Sequence, residues 1–204
     1  MNKINEKRVF IAIPIGAVIK PVLPLLKSKF TRNYENIKWI PLENIHLTLK
    51  FAGDISINYI PILIQSLKKD IIQNSFKLVI ESTGIFSSSH SPKVLWLGIK
   101  RGTDELMSLH TQIKKSLKVI IDNNPEKTFT PHVTIGKLLN NFVKIDVLPF
   151  LNTVYSPIEL SVNSICLYES KLFPEGAKYR IIYEFPLNDK ERKIQWKFNR
   201  KIKH

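Results

Sequence analysis

One cysteine in 204 residues leaves no internal disulfide to form and no multi-cysteine zinc site to build. That residue, Cys166, lies in an apolar-alternating run and reads as a buried structural thiol, which fits a reducing compartment. Glycine is scarce as well, at seven, and with 44% hydrophobic and 24% charged residues the composition is globular rather than fibrous or disordered. No apolar run reaches the roughly 18–20 residues of a membrane span. Residues 1–8 are charged and lead straight into Val9-Phe10-Ile11-Ala12-Ile13, without the small-residue cleavage site of a signal peptide, so a cytoplasmic protein with no membrane contact is expected. Acidic residues are the last shortage: 17 against 31 lysines and arginines, a net charge of +14. Such an excess attracts polyanions such as RNA before any specific contact forms, although a solvated lysine-rich surface would give the same count. The length allows one domain, or two small lobes packed into one.

What the chain does have is one pattern twice. His46-Leu47-Thr48-Leu49 and His132-Val133-Thr134-Ile135 lie 86 positions apart, each follows a proline (Pro41, Pro131), and each runs on into a lysine (Lys50, Lys137). Strict alternation over β-favouring residues argues for half-buried strands. Side chains alternate along a strand, so His46 and Thr48 share one face and Leu47 and Leu49 the other; His132 and Thr134 repeat this. A lone histidine on a strand is more often structural than catalytic, but two copies of imidazole beside hydroxyl make a candidate acid/base pair.

The rest of the chain supplies the scaffold. Periodicity predicts a buried strand over 8–14, a helix over 18–30 interrupted by Pro24, and a short strand at 38–40. The first motif strand spans 45–51 and ends at Gly53-Asp54. A helix over 58–74 carries Ile60, Leu63, Ile64, Leu67 and Ile71 on one face. Strands at 76–81 and 94–100 flank a polar loop at 83–92, and a helix over 103–122 starts on a cap at Thr103. The second motif strand covers 129–137, and alternation predicts single strands over 158–168 and 179–185. This mixture suggests an α+β protein of two lobes, each an antiparallel sheet with helices outside. Residues 188–204 differ, with seven basic and two acidic residues interleaved with Trp196 and Phe198, a composition that suits single-stranded RNA and also a plain terminal extension.

With both motifs placed on strands, the chain resembles the 2H phosphoesterases, and within them the RNA 2′,3′-cyclic phosphodiesterases, also called 2′-5′ RNA ligase or LigT-like proteins. The resemblance runs through Val9-Phe10-Ile11-Ala12-Ile13, Trp39-Ile40-Pro41-Leu42-Glu43-Asn44, Val94-Leu95-Trp96-Leu97-Gly98 and Leu167-Tyr168-Glu169-Ser170. It implies a bilobal, pseudo-twofold α+β fold over residues 1–187, two antiparallel sheets flanked by outer helices around a central cleft, with 188–204 as a basic tail outside it. It also implies cleavage of a 2′,3′-cyclic phosphate at an RNA end, tRNA fragments among the candidates, by a monomer using neither metal nor cofactor. On this resemblance His46 donates a proton to the leaving 3′-oxygen, His132 is the base for water, and Thr48 and Thr134 donate to the phosphate oxygens. Lys50, Thr130 and Tyr168 are candidate substrate contacts. Relatives commonly carry arginines where this chain has Thr130 and Lys137; strand parity puts Thr130 on the face of His132 and Lys137 on the opposite one. The alternatives are the reverse 2′-5′ joining reaction, another cyclic or 2′-5′-linked nucleotide as substrate, and RNA binding without turnover. A metal hydrolase finds little support, since His90, His110 and His204 fall at no ligand spacing from the motif pair, and His110 reads as an ordinary helix residue.

Overall fold

The computed structural model describes residues 5–30, 34–88, 91–118, 120, 128–139, 145–174 and 176–187. His90, His204, the expected helix stop at 123–125 and the whole tail at 188–204 lie outside the described residues. In chain order the strands are β1 (Glu6–Pro14), β2 (Ile37–Trp39), β3 (His46–Ser56), β4 (Phe76–Ser88), β5 (Ser91–Arg101), β6 (His132–Leu138), β7 (Ile158–Val162), β8 (Ser164–Phe173) and β9 (Gly176–Pro186). The helices are α1 (Gly16–Ile19), α2 (Leu23–Lys27), α3 (Ile60–Asp70), α4 (Thr103–Leu117) and α5 (Leu148–Leu151).

Among the described residues all nine strands belong to one antiparallel sheet, in the order β7-β4-β5-β6-β3-β1-β8-β9, with β2 paired to β6. The order is a pseudo-twofold about the β6–β3 seam, and the seam is a single pair, Leu47 opposite Val133. The two expected sheets are therefore halves of one, joined only where the two motifs meet. One face carries the helices. Leu63 and Leu67 of α3 and Leu106, Leu109 and Ile113 of α4 are buried against Val9, Ile11, Ile13, Leu47, Leu49, Val133 and Ile135 in a continuous core. Where the two helices meet, the Ser116 hydroxyl donates to Asp70 at 2.9 Å. Among the described residues no helix is long and apolar enough to cross a membrane.

Several boundaries depart from the sequence reading for local reasons. The predicted 18–30 helix is α1, α2 and a 3-10 turn, because Pro24 fits only the first turn of a new helix, where its missing N–H is no loss. The stretch read as a loop over 83–92 is strand where it is described: β4 runs to Ser88 and β5 starts at Ser91, the two forming a long hairpin, with Ser82 at φ 87° absorbing a register irregularity before Thr83 pairs with Leu97. β3 does not stop at Gly53, whose φ of 83° sits beside a bulge and bends the strand onward to Ser56. α4 is led not by a Thr103 side-chain cap but by Gly102 at φ 90°, whose carbonyl accepts from Leu106. The single strand expected over 158–168 breaks at Asn163, whose carbonyl accepts from Leu187 instead, so that β7 lies at one edge of the sheet and β8 in the other half, between β1 and β9.

Candidate active site

The face of the sheet away from the helices holds the motif side chains. Leu47 and Val133 point into the core, so His46, Thr48, His132 and Thr134 all point the other way, each half-buried. In an antiparallel ladder the flanking residues face each other in reverse order, so His46 stands across from Thr134 and His132 across from Thr48. With only one pair holding β3 to β6, the strands part on either side of it and leave a cleft.

Both imidazoles are tethered alike. Nδ1 of His46 lies 2.7 Å from the carbonyl oxygen of Asn44, and Nδ1 of His132 lies 2.7 Å from that of Thr130, two residues back in each case. A carbonyl can only accept, so each Nδ1 carries the proton and donates it, leaving Nε2 as the exchangeable nitrogen. Aromatic rings hold the other sides. His46 packs on Phe10 (centroids 4.9 Å) and edge-on against Tyr179 (5.3 Å); His132 packs edge-on against Phe86 (4.8 Å), with Trp96 at 6.4 Å. Burial pulls the His46 pKa below the ordinary imidazole value, and the positive charges of His132 and Lys137 push the same way against the bond to Asn44.

The chain as a whole has counterparts among known proteins. The sequence profile of the 2′-5′ RNA ligase superfamily matches residues 29–172. The chain belongs to that superfamily. It is 32% identical over 178 residues to a Thermotoga maritima protein named RNA 2′,3′-cyclic phosphodiesterase, covering 87% of this chain and 94% of the relative. A protein of the same name from Aquifex aeolicus is 34% identical over 159 residues, covering 74% and 81%. The fold is similar to that of Escherichia coli LigT in apo form, with a TM-score of 0.69, 23% identity, and coverage of 90% and 99%.

As a member of the 2′-5′ RNA ligase superfamily the chain differs from its sequence-based expectation at Lys137. Both motif strands carry a bulge at the third residue after the histidine: Leu49 has no partner between Ala12↔Thr48 and Ile11↔Lys50, and Ile135 has none between Trp96↔Thr134 and Leu95↔Gly136. A bulge reverses which face the following residues occupy. Leu138 is buried and Lys137 exposed, so Lys137 turns to the face of His132 and Thr134, correcting the parity argument that set it opposite. The same reversal puts Phe51 on the site face, where its ring lies 5.6 Å from Phe10.

Of the candidate substrate contacts, Thr130 is exposed at the mouth of the cleft beside His132, and Lys50 borders it. Tyr168 lies deeper, stacked on Phe10 at 5.1 Å, with its ring 6.3 Å from that of His46. Sequence reasoning passed over His110, Phe51, Phe86 and Phe129. These line the cleft with Thr48 and His132; the bulge in β3 turns Phe51 to it and the long hairpin brings Phe86. His110 is more than a helix residue: its Nδ1 donates to the Leu49 carbonyl at 2.8 Å, and its ring stacks on Phe129 at 4.4 Å and 4°.

Proposed function

We propose that this chain is an RNA 2′,3′-cyclic phosphodiesterase, opening the cyclic phosphate at an RNA end to leave a 2′-phosphate and a free 3′-hydroxyl. The observation that carries this reading is the matched tethering of His46 and His132, each with Nε2 free and each across from a threonine. The names of the relatives supply the substrate class. Water attacks phosphorus as His132 takes its proton at Nε2; the bond to the 3′-oxygen breaks as His46 delivers a proton to it. Hydroxyls of Thr48 and Thr134 donate to the non-bridging oxygens as charge builds. The lowered pKa of His46 favours its neutral form in the empty site, and an anionic cyclic phosphate beside it raises that pKa and readies the acid.

The domain of residues 1–187 works as a cytoplasmic monomer in this reading, with tRNA fragments as substrates and the basic residues 188–204 adding non-specific phosphate attraction. Purified protein incubated with an oligonucleotide ending in a 2′,3′-cyclic phosphate tests it. A 2′-phosphate product supports the assignment; a 3′-phosphate product or no turnover overturns it.

A further inference from the structure

The single ladder pair between β3 and β6 is supported differently on its two sides. On the side of His46 and Thr134, β2 takes over the edge of β6 that β3 leaves: Trp39 pairs with Gly136, and the Ile40 N–H donates to the Ile135 carbonyl at 3.0 Å. On the side of Thr48 and His132, among the described residues no strand enters the split between residues 49–52 and 128–131. A side chain from the helix layer lies there instead. His110 of α4 lines this part of the cleft with Thr48, Leu49, Phe129, Thr130 and His132. It stands one turn from Leu106 and Ile113, at the border of the stripe that α4 buries against the sheet.

The imidazole makes one contact with each strand segment. Its Nδ1 donates to the Leu49 carbonyl at 2.8 Å. Leu49 is buried and is the residue that the β1–β3 register skips, and a buried carbonyl left without a donor is costly. The ring also stacks on Phe129, with centroids 4.4 Å apart and planes 4° from parallel. Leu49 directly follows Thr48, and Phe129 directly precedes Thr130, whose carbonyl holds Nδ1 of His132. One side chain thus grips the neighbour of Thr48 on one segment and the neighbour of the His132 tether on the other.

Resting on the phosphodiesterase reading, we infer that His110 is a positioning residue: from the helix layer it sets the separation of Thr48 and His132 across the open side of the seam, as β2 braces the other side. The bond to Leu49 fixes the bulge in β3 and so where Thr48 presents its hydroxyl. The stack on Phe129 fixes the approach to β6 and so where the His132 tether lies. A base and a donor to the phosphate oxygens must meet one phosphate together, and a misplacement of about 1 Å in such a group costs about 10²-fold in rate. The motifs alone do not set this spacing, because their strands pair only at Leu47 and Val133. An imidazole suits the task, since it stacks flat on a phenyl ring and carries a donor on its edge; phenylalanine offers only the stack and asparagine only the donor.

Values of kcat and KM for adenosine 2′,3′-cyclic phosphate test this, on variants verified as folded by their urea midpoints. His110→Phe keeps the stack and loses the donor, and should lower kcat by about 10–100-fold with KM little changed. His110→Asn restores the donor and should recover most of that loss. Because His110 works through Thr48, adding His110→Phe to Thr48→Ala should cost no more than about 2-fold further. His110→Met fills the same space without a donor and takes the place of His110→Phe if the phenyl variant does not fold. A ring that merely fills the split predicts the opposite: His110→Phe working at the parental kcat, or the same loss in both backgrounds, overturns the inference while the activity stands. If the parental protein does not hydrolyse the cyclic phosphate, the phosphodiesterase reading falls and this inference with it.

Discussion

Leu47 and Val133, each the residue after its motif histidine, form the only ladder pair between β3 and β6, and through it the two halves of the sheet become one. Because equivalent residues meet there, the twofold axis passes through the seam and each histidine acquires the other motif's threonine as its neighbour. The acid/base pair is thus a product of the junction, and neither half contains it alone.

If His46 and His132 act as one unit, His46→Ala and His132→Ala should each lower kcat by about 10²–10⁴-fold, and the double variant by far less than the product of the two. Single-turnover rates for the three variants, with circular dichroism to verify folding, check this. A folded His46→Ala protein working at the parental rate defeats the pairing.

The threonines are expected to act on the transition state rather than on binding. Thr48→Ala and Thr134→Ala should each reduce kcat by about 10²-fold, the effect of losing one oxyanion donor, with KM little changed. Serine restores the hydroxyl, so Thr48→Ser and Thr134→Ser should recover most of the rate. A loss confined to KM would show a binding role instead.

How much of this was legible beforehand divides along one physical line. The motif faces, the helix stripes of Leu63 and Leu67 or Leu106, Leu109 and Ile113, and the buried Cys166 follow from periodicity, which is local. The face of Lys137 did not, because counting by twos fails across a bulge, and the bulge at Ile135 is set by pairing with β5, not by its own residues. Thr83 to Ser88 looked like a loop because small polar residues favour turns, whereas pairing with β5 decides the matter in the folded sheet. Phe51 and Phe86 went unread for the same reason, their site-facing positions being consequences of long-range register.

Lys137 also gives a titration to measure. Burial, His132 and Lys137 all hold His46 below its ordinary pKa of about 6.5, so Lys137→Met should move the His46 midpoint upward, read from its imidazole Cε1–H resonance. The unfolded chain binds the proton more readily than the folded one between that depressed value and about 6.5. The stability contributed by neutral His46 is therefore present above pH 6.5 and lost as pH falls through the folded midpoint, and Lys137→Met narrows that window. A midpoint that stays put or moves down would place the ammonium away from His46.

Gly84 separates packing from backbone strain as the support of the site. It lies opposite Trp96 in the β4–β5 hairpin, and a Cβ added there would run into the indole ring, while Trp96 in turn pairs with Thr134 and packs near His132. The ring is large and hemmed in by Phe86 at 5.1 Å, so it cannot give way without shifting its neighbours. Gly84→Ala should therefore destabilise the fold by about 1–3 kcal/mol, as overpacking does, and lower kcat as well. Gly53 is the control: its φ of 83° makes alanine strained, but nothing lies within 4 Å of the added Cβ. Gly53→Ala should cost about 1 kcal/mol and leave kcat unchanged. Urea midpoints at constant m-value, set beside kcat for both variants, distinguish the two effects. Equal kcat in Gly84→Ala and the parental protein would remove Trp96 from the support of His132 and Thr134.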